Sequence, residues 1–221
     1  LAALQSQINP HFLYNTLESI TWMVEANKNQ DAVFMISELA KLFRISLSKG
    51  KTIIRIEDEL QHCRSYMNIQ KYRYRERFSV QYDIQEEIYS YCTVKLILQP
   101  ILENAIYYGV GDMDEDDDPL IVVRGYKKED DIYLCVEDNG MGMREEDVRN
   151  ILTDNPKVPK HGSGVGLINV HTRIQLMFGE QYGLRVESEA DEGTSVTIHL
   201  PAIPFTKENC EMLEKAKIGK E

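Results

Sequence analysis

Residues 1 to about 77 of this 221-residue chain keep helical spacing with no strand pattern between them. From Phe78 onward, alternating strands and apolar helices interleave. Together these predict an α+β fold. An N-terminal helical hairpin or bundle is followed by an α/β region with a mixed, mostly antiparallel sheet and its helices on one face. The expected division is 1–77 helical, 78–204 α/β, and 205–221 a short charged tail with no assigned role. Composition narrows the function. A net charge of −11 argues against a nonspecific nucleic-acid binder, which needs a basic face to neutralise phosphates. No apolar run is long enough to span a bilayer. Cys63, Cys92, Cys135 and Cys210 are too far apart in sequence to suggest a zinc site and are expected to be reduced thiols.

The helical half contains one helix over about 1–27, a break at "NKNQ", a second helix over about 31–48, the breaker "SKGKT", and a third over about 57–77. The opening "LAALQSQI" already keeps helical spacing at Leu1, Leu4 and Ile8, so the first helix is expected to run on upstream. In the second half "FSVQYDI" alternates as a strand, and "TVKLILQPILENAIYYGV" is a mostly apolar helix. "LIVVRGYKK" and "DIYLCVED" form a hairpin around "EDD", and "REEDVRNIL" is a short helix. A polar, glycine-rich stretch leads into the helix "LINVHTRIQLMFG", and "YGLRVESEA" and "TSVTIHLP" close the region as a second hairpin around "DEG".

The stretch "NPHFLYN" places a helix breaker beside His11, whose side chain type changes charge near neutral pH. At roughly 100° per residue, Leu13, Leu17, Ile20 and Val24 form one apolar stripe, and His11, Asn15, Glu18 and Trp22 fall roughly opposite. Pro10 cannot donate its N–H and crowds the carbonyl of Ser6, so a kink is expected just before His11. On spacing alone, a surface histidine beside an unrelated proline fits as well. What raises the histidine's importance lies in the second half.

There, "VEDNGMG" puts Asp138 at a strand end, followed by Gly140 and Gly142. A carboxylate so placed can accept a hydrogen bond from an adenine amino group, and the glycines let backbone approach a ligand closely. "GSGVGL" puts Gly162, Gly164 and Gly166 just before a helix, where backbone N–H groups make an anion site. In "LENAI", Glu103 and Asn104 are polar residues in an apolar setting. Asn104 can offer a side-chain oxygen to magnesium, a hard cation that prefers oxygen. Lys157, Lys160 and His161 precede the glycine loop and could meet phosphate oxygens, although solvated loop charges would read the same way.

With these residues in place, the chain resembles the sensor histidine kinases of two-component systems, in the branch with an "NPHF-aromatic-N" motif, the LytS/YesM type. The likeness runs through "LQSQINPHFLYNTLESI", "LQPILENAI", "VEDNGMG", "GSGVGLINVHTRI" and "GTSVTIHLP". It implies a helical dimerisation and phosphotransfer half, then an ATP-binding α/β sandwich of the histidine-kinase type shared with gyrase-type ATPases. It implies ATP-dependent autophosphorylation on His11 and phosphoryl transfer to an aspartate of a response regulator. Asn104 would hold magnesium, Asp138 would read adenine, and Gly140 and Gly142 would floor the pocket. Gly162, Gly164, Gly166 and the adjoining Leu167 would belong to a mobile lid, with Lys160 beside it, and Thr194 would support Asp138. The helices would pair with a second copy, and the full-length protein would be a membrane sensor with this part on the cytoplasmic side. Phosphoryl transfer asks a protein mainly for positioning and charge stabilisation, so the two halves must approach one another to bring His11 in line with ATP.

Three departures stand out. Phe12 follows the histidine where many family members carry an acid. Tyr107 and Tyr108 occupy positions where the family usually shows a basic residue and a histidine, which would lower ATP affinity or turnover. The acidic run Asp112–Asp118 is expected to point outward, since it would oppose a nucleotide's charge. Asn15, one turn from His11, resembles a residue that positions water for dephosphorylation of a regulator. Two rivals share the pocket. A gyrase- or chaperone-type ATPase would need a glutamate four residues before Asn104, where this chain has Pro100. A catalytically weakened ATP-binding scaffold would keep the pocket without the transfer.

Overall fold

The computed structural model describes residues 10–47, 51–111, 113–152 and 163–218, and the elements below belong to these. Three helices open the chain: α1 (Pro10–Glu25), α2 (Asn29–Ser46) and α3 (Ile56–Arg73). Pro10 is the first described residue of α1. The expected kink depends on Ser6 and lies outside the described residues. Lys28 N–H to Met23 O at 2.8 Å and a left-handed Asn27 (φ 58°) close the α1–α2 turn.

The buried face of α1 is not the expected stripe. Phe12, Thr16, Ile20 and Met23 are buried, whereas Leu17 and Val24 are about half exposed. The burying face is rotated most of one residue step from Leu13–Leu17–Val24. The helix carries two apolar faces, and a single chain covers only one of them.

A second difference concerns the boundary between the halves. The first 77 residues are not helical throughout: Ile53–Arg55 forms strand β1, which pairs antiparallel with β3 (Cys92–Val94). The apolar stretch beginning at Thr93 therefore starts as strand. It turns helical only at α4 (Leu98–Asn104) and continues as a π-helical stretch over Ala105–Val110. Ile53 and Ile54 on one strand and Cys92 and Val94 on the other are all buried, which makes this short ribbon a buried seam.

The main sheet has five strands in the order β2-β4-β5-β7-β6: β2 (Ser79–Ile84), β4 (Leu120–Lys128), β5 (Asp131–Asp138), β6 (Gly183–Glu189) and β7 (Gly193–Pro201). Only the β2–β4 pair is parallel. Alternation sets its two faces. Ile121 and Val123, Ile132, Leu134 and Val136, and Val196, Ile198 and Leu200 point into the core. There they meet α4, the π-helical stretch and α6 (Ser163–Phe178). The helices thus cover one face, as the sequence pattern predicts. α5 (Glu145–Ile151) sits between β5 and α6 in sequence. The charged tail forms α7 (Lys207–Ile218), and its Glu214 accepts from the N–H groups of Thr52 and Ile53 at 2.6 and 2.8 Å. The tail is therefore tied to the edge of β1.

Candidate active site

Two sites emerge, one on the surface of α1 and one between the sheet and its helices. His11 is exposed on α1, beside Pro10, the first described residue. The Asn15 amide nitrogen lies 3.2 Å from its Nε2 and 3.3 Å from its Nδ1. An amide N–H there can donate only to the unprotonated ring nitrogen, the one that carries the lone pair. Phe12, the residue in place of the usual acid, turns inward and stacks on Tyr66 with ring centroids 5.2 Å apart. Glu18 is exposed and does not share this arrangement.

The second site is a pocket with about 440 Å³ of empty volume, including open solvent. Its polar lining is Asn104, Asp138 and Thr194, and its apolar lining includes Ile101, Val136, Leu167 and Val196. An apolar slot with a few polar groups in its lining suits a heteroaromatic base. Asp138 closes β5, and its Oδ1 accepts from the Gly140 N–H at 3.0 Å. Thr194, opposite Asp138 in the β5–β7 register, also donates its backbone N–H to that carboxylate. Burial pushes the Asp138 carboxyl up to about 6, while these two donors pull the other way. The Thr194 hydroxyl lies 2.9 Å from Ser188 Oγ, which fixes the β6–β7 end of the pocket.

Glycines carve this site by close approach. A Cβ on Gly140 would fall 2.3 Å from the Gly109 backbone, and one on Gly109 would fall 2.6 Å from Asp138 Oδ1. Gly142 adopts φ +62°, and a Cβ there would meet the Glu189 carbonyl at 1.9 Å. Gly109 and Ser188 were not singled out from sequence. Their only signal is indirect, a glycine five residues after Asn104 and a serine five before Gly193.

Asn104, the last residue of α4, leaves its Nδ2 buried without a hydrogen-bond partner. An orphaned amide beside a nucleotide-sized slot is a group built for a ligand. The orphaned Nδ2 is a donor and suits an acceptor on a ligand, whereas a hard cation such as magnesium would need the Asn104 amide oxygen. The helix bearing Asn104 is anchored from outside. Glu59 of α3, fully buried, accepts from the N–H groups of Leu96, Ile97 and Leu98 at 2.7, 2.8 and 2.9 Å. It therefore caps the N-terminus of α4. Arg173 of α6 donates to the carbonyls of Lys95 and Leu96 from the other side, at 2.6 and 3.4 Å. Burial raises the Glu59 carboxyl despite these bonds.

Residues 93–204 match the family model described as histidine kinase-, DNA gyrase B-, and HSP90-like ATPase, and residues 1–78 match the histidine kinase model. The chain belongs to the histidine kinase family. It is 41% identical over 201 residues to the sensor histidine kinase YesM of Bacillus subtilis, covering 91% of this chain and 33% of that protein. It is 29% identical over 204 residues to the sensor protein LytS of Bacillus anthracis, covering 91% and 34%. The chain thus spans about a third of the length of these curated relatives. Among solved structures it resembles the catalytic domain of histidine kinase ThkA, with TM-score 0.54 and 14% identity over 69% of this chain and 98% of that one. That likeness concerns the fold.

Of the residues this kinase sequence singles out, the pocket brings Asn104, Asp138, Gly142, Leu167 and Thr194 together, with Gly140 buried behind them. Gly164 and Gly166 lie in the first turn of α6, and a Cβ on Gly166 would sit 3.5 Å from Pro100. Lys157, Lys160, His161 and Gly162 lie outside the described residues. Tyr108 lines the pocket, whereas Tyr107 packs edge-on against Tyr74. Asp114 and Asp116–Asp118 of the acidic run are exposed and line no part of the pocket. No cluster of His, Cys, Asp or Glu able to hold a metal occurs among the described residues, and the four cysteines are free thiols.

Proposed function

We propose that this kinase transfers the γ-phosphoryl group of ATP to a ring nitrogen of His11 and then to an aspartate on a response-regulator receiver domain. The convergence of an orphaned Asn104 amide and the Asp138 carboxylate in one apolar slot carries the reading. Asp138 accepts from the adenine amino group, with Gly140 and Thr194 holding the carboxylate in place. Gly109, Gly140 and Gly142 let the segments around Asp138 pack closer than a side chain would allow, which holds the carboxylate at the pocket. Magnesium, when bound, neutralises phosphate charge, and the Asn104 side-chain oxygen is its protein ligand. Asn15 holds the His11 ring by its amide contact, and the unprotonated ring nitrogen, which carries the lone pair, is the nucleophile once that contact gives way. Lys160 and the glycines at 162, 164 and 166 form the phosphate side.

The uncovered apolar residues of the hairpin, Leu17 and Val24 on α1 with Val33 and Ile36 on α2, support pairing with a second copy through these helices. The full-length protein is proposed to be a membrane sensor with this part on the cytoplasmic side. No helix of the described residues is long and apolar enough to cross a membrane. Pro100, four residues before Asn104, disfavours a water-activating ATPase.

Incubation with γ-labelled ATP and magnesium tests the reading. Acid-labile, base-stable label on the protein is the expected result. Phosphate release without protein label would make the chain an ATPase, and failure to bind ATP would make it a scaffold.

A further inference from the structure

The turn that leads into α4 is held by side chains and backbone from distant parts of the chain. Glu59 of α3 takes the N–H groups of Leu96, Ile97 and Leu98 from 37 to 39 residues earlier. Arg173 of α6 takes the carbonyls of Lys95 and Leu96 from 77 and 78 residues later. Lys95 itself reaches back twice. Its N–H donates to the Thr52 carbonyl at 2.9 Å, and its Nζ donates to the carbonyl of Ser46, the last residue of α2, at 3.4 Å. Glu59 and Lys95 are buried. Within the turn Leu96 adopts φ 57°, a left-handed conformation that is unfavourable for a leucine and persists only where the surroundings enforce it.

A helix that had only to begin here would need no such reach. A Ser, Thr, Asp or Asn at its own cap position is the ordinary solution. This chain has Ile97 there, with no side-chain cap of its own, and withdraws a carboxylate from water instead. What a distant cap supplies and a local one does not is a fixed placement of α4 against α3 and α6. α4 is about two turns long and ends at Asn104, whose Nδ2 is buried without a partner. α6 packs close to it: a Cβ on Gly166 would sit 3.5 Å from Pro100, and Leu167 lines the pocket beside Ile101 and Asn104. Asp138 is placed differently, by β5 and the Gly140 N–H. We propose that Glu59 and Arg173 are positioning residues for Asn104, clamping the Lys95–Leu96–Ile97 turn from two sides and so setting where α4 presents its last residue to the nucleotide. The helical half, through Glu59, thereby helps to build the Asn104 side of the pocket, while the sheet builds the Asp138 side. This rests on the nucleotide reading of the pocket made above.

The test measures, on the whole chain, the Kd of a non-hydrolysable ATP analogue with magnesium beside the Kd of adenosine. Adenosine offers its base to Asp138 but brings no phosphate or magnesium to Asn104. Arg173→Met and Glu59→Gln should each weaken the analogue about tenfold and leave adenosine within about twofold of wild type. Arg173→Lys, which keeps a cationic donor for the Lys95 carbonyl, should fall between wild type and Arg173→Met. In an Asn104→Ala background, Arg173→Met should weaken the analogue no further, because the clamp acts through Asn104. Thermal midpoints accompany each variant, and the Arg173 series decides alone if Glu59→Gln does not fold. Wild-type analogue affinity in Arg173→Met would overturn the proposal. So would equal losses for both ligands, which would mark a general loosening of the fold, or a full added loss in the Asn104→Ala background. Arg173→Lys as weak as Arg173→Met would overturn it too. A wild type that binds neither ligand overturns the nucleotide reading as well, whereas a wild type that binds both, with the variants unaffected, sinks the clamp alone.

Discussion

The two sites of this molecule are built in opposite ways. His11 stands on an exposed helix surface, with the Asn15 side chain against it from a turn away. The pocket around Asp138 is closed by backbone approaches that leave no room for a single added carbon. On the proposed reading, an acceptor that must meet first a nucleotide and then a partner's aspartate has to stay accessible. A base-reading carboxylate, as proposed for Asp138, gains its selectivity from being withdrawn from water, where an unpaired polar group is costly. Substitutions should therefore act on chemistry alone at the first site and on chemistry and stability together at the second.

The largest effect is expected from Asp138→Asn. Losing the carboxylate's hydrogen bond to the base should weaken ATP binding by about 2–3 kcal/mol, roughly 30- to 150-fold, as read by calorimetry. The fold should not suffer. The folded carboxyl titrates at about 6, above its ordinary 3.8, so the native state binds more protons than the unfolded one between those values. This group therefore opposes folding at neutral pH, on the order of 3 kcal/mol, and the opposition fades as pH falls from about 6 toward 4. Asp138→Asn should have a thermal midpoint at pH 7.5 at or above that of the wild type.

Gly140→Ala comes next and should blur the distinction the other way. Its Cβ meets main chain of Gly109 at 2.3 Å, not a flexible side chain. A loss of about 1–3 kcal/mol of stability is expected, with ATP affinity falling alongside. Denaturant melts and binding on the same sample would check both. A third, smaller effect is the pH dependence of ATP affinity. Kd should be flat above pH 6 and rise by up to about tenfold per unit below it, as the Asp138 carboxyl protonates. In Asp138→Asn that slope should vanish. Smallest of all is Asn15→Ala, at an exposed contact. It should slow His11 labelling by about two- to fivefold, leave the melting midpoint within a degree or so, and reduce phosphatase activity toward the regulator. Unchanged phosphatase activity would reject the water-positioning role.

How far each region could be read from its residues follows the same contrast. "NPHFLYN" announces His11 because an exposed reactive group depends on local residues, and the Asn15 contact is a one-turn neighbour on the same helix. The glycine motifs marked Asp138, Gly140 and Gly142 for the same reason. Gly109 and Glu59 were not legible, since each matters through a partner 29 or more residues away, Asp138 for one and the turn before α4 for the other. The buried face of α1 was misjudged because Leu17 and Val24 are as apolar as Ile20, and periodicity cannot say which of two faces its own chain covers. The β1–β3 ribbon was missed because three-residue strands carry too little alternation to register against flanking helices.

The central claim is that the pocket around Asp138 delivers phosphorus to the imidazole of His11. Mass spectrometry of the protein after brief incubation with ATP and magnesium, under neutral conditions that preserve phosphohistidine, tests it most directly. The peptide containing His11 should carry the phosphoryl group, and His11→Gln should carry none while still binding ATP with wild-type affinity. Phosphate located on any other residue, or retained in His11→Gln, would contradict the account.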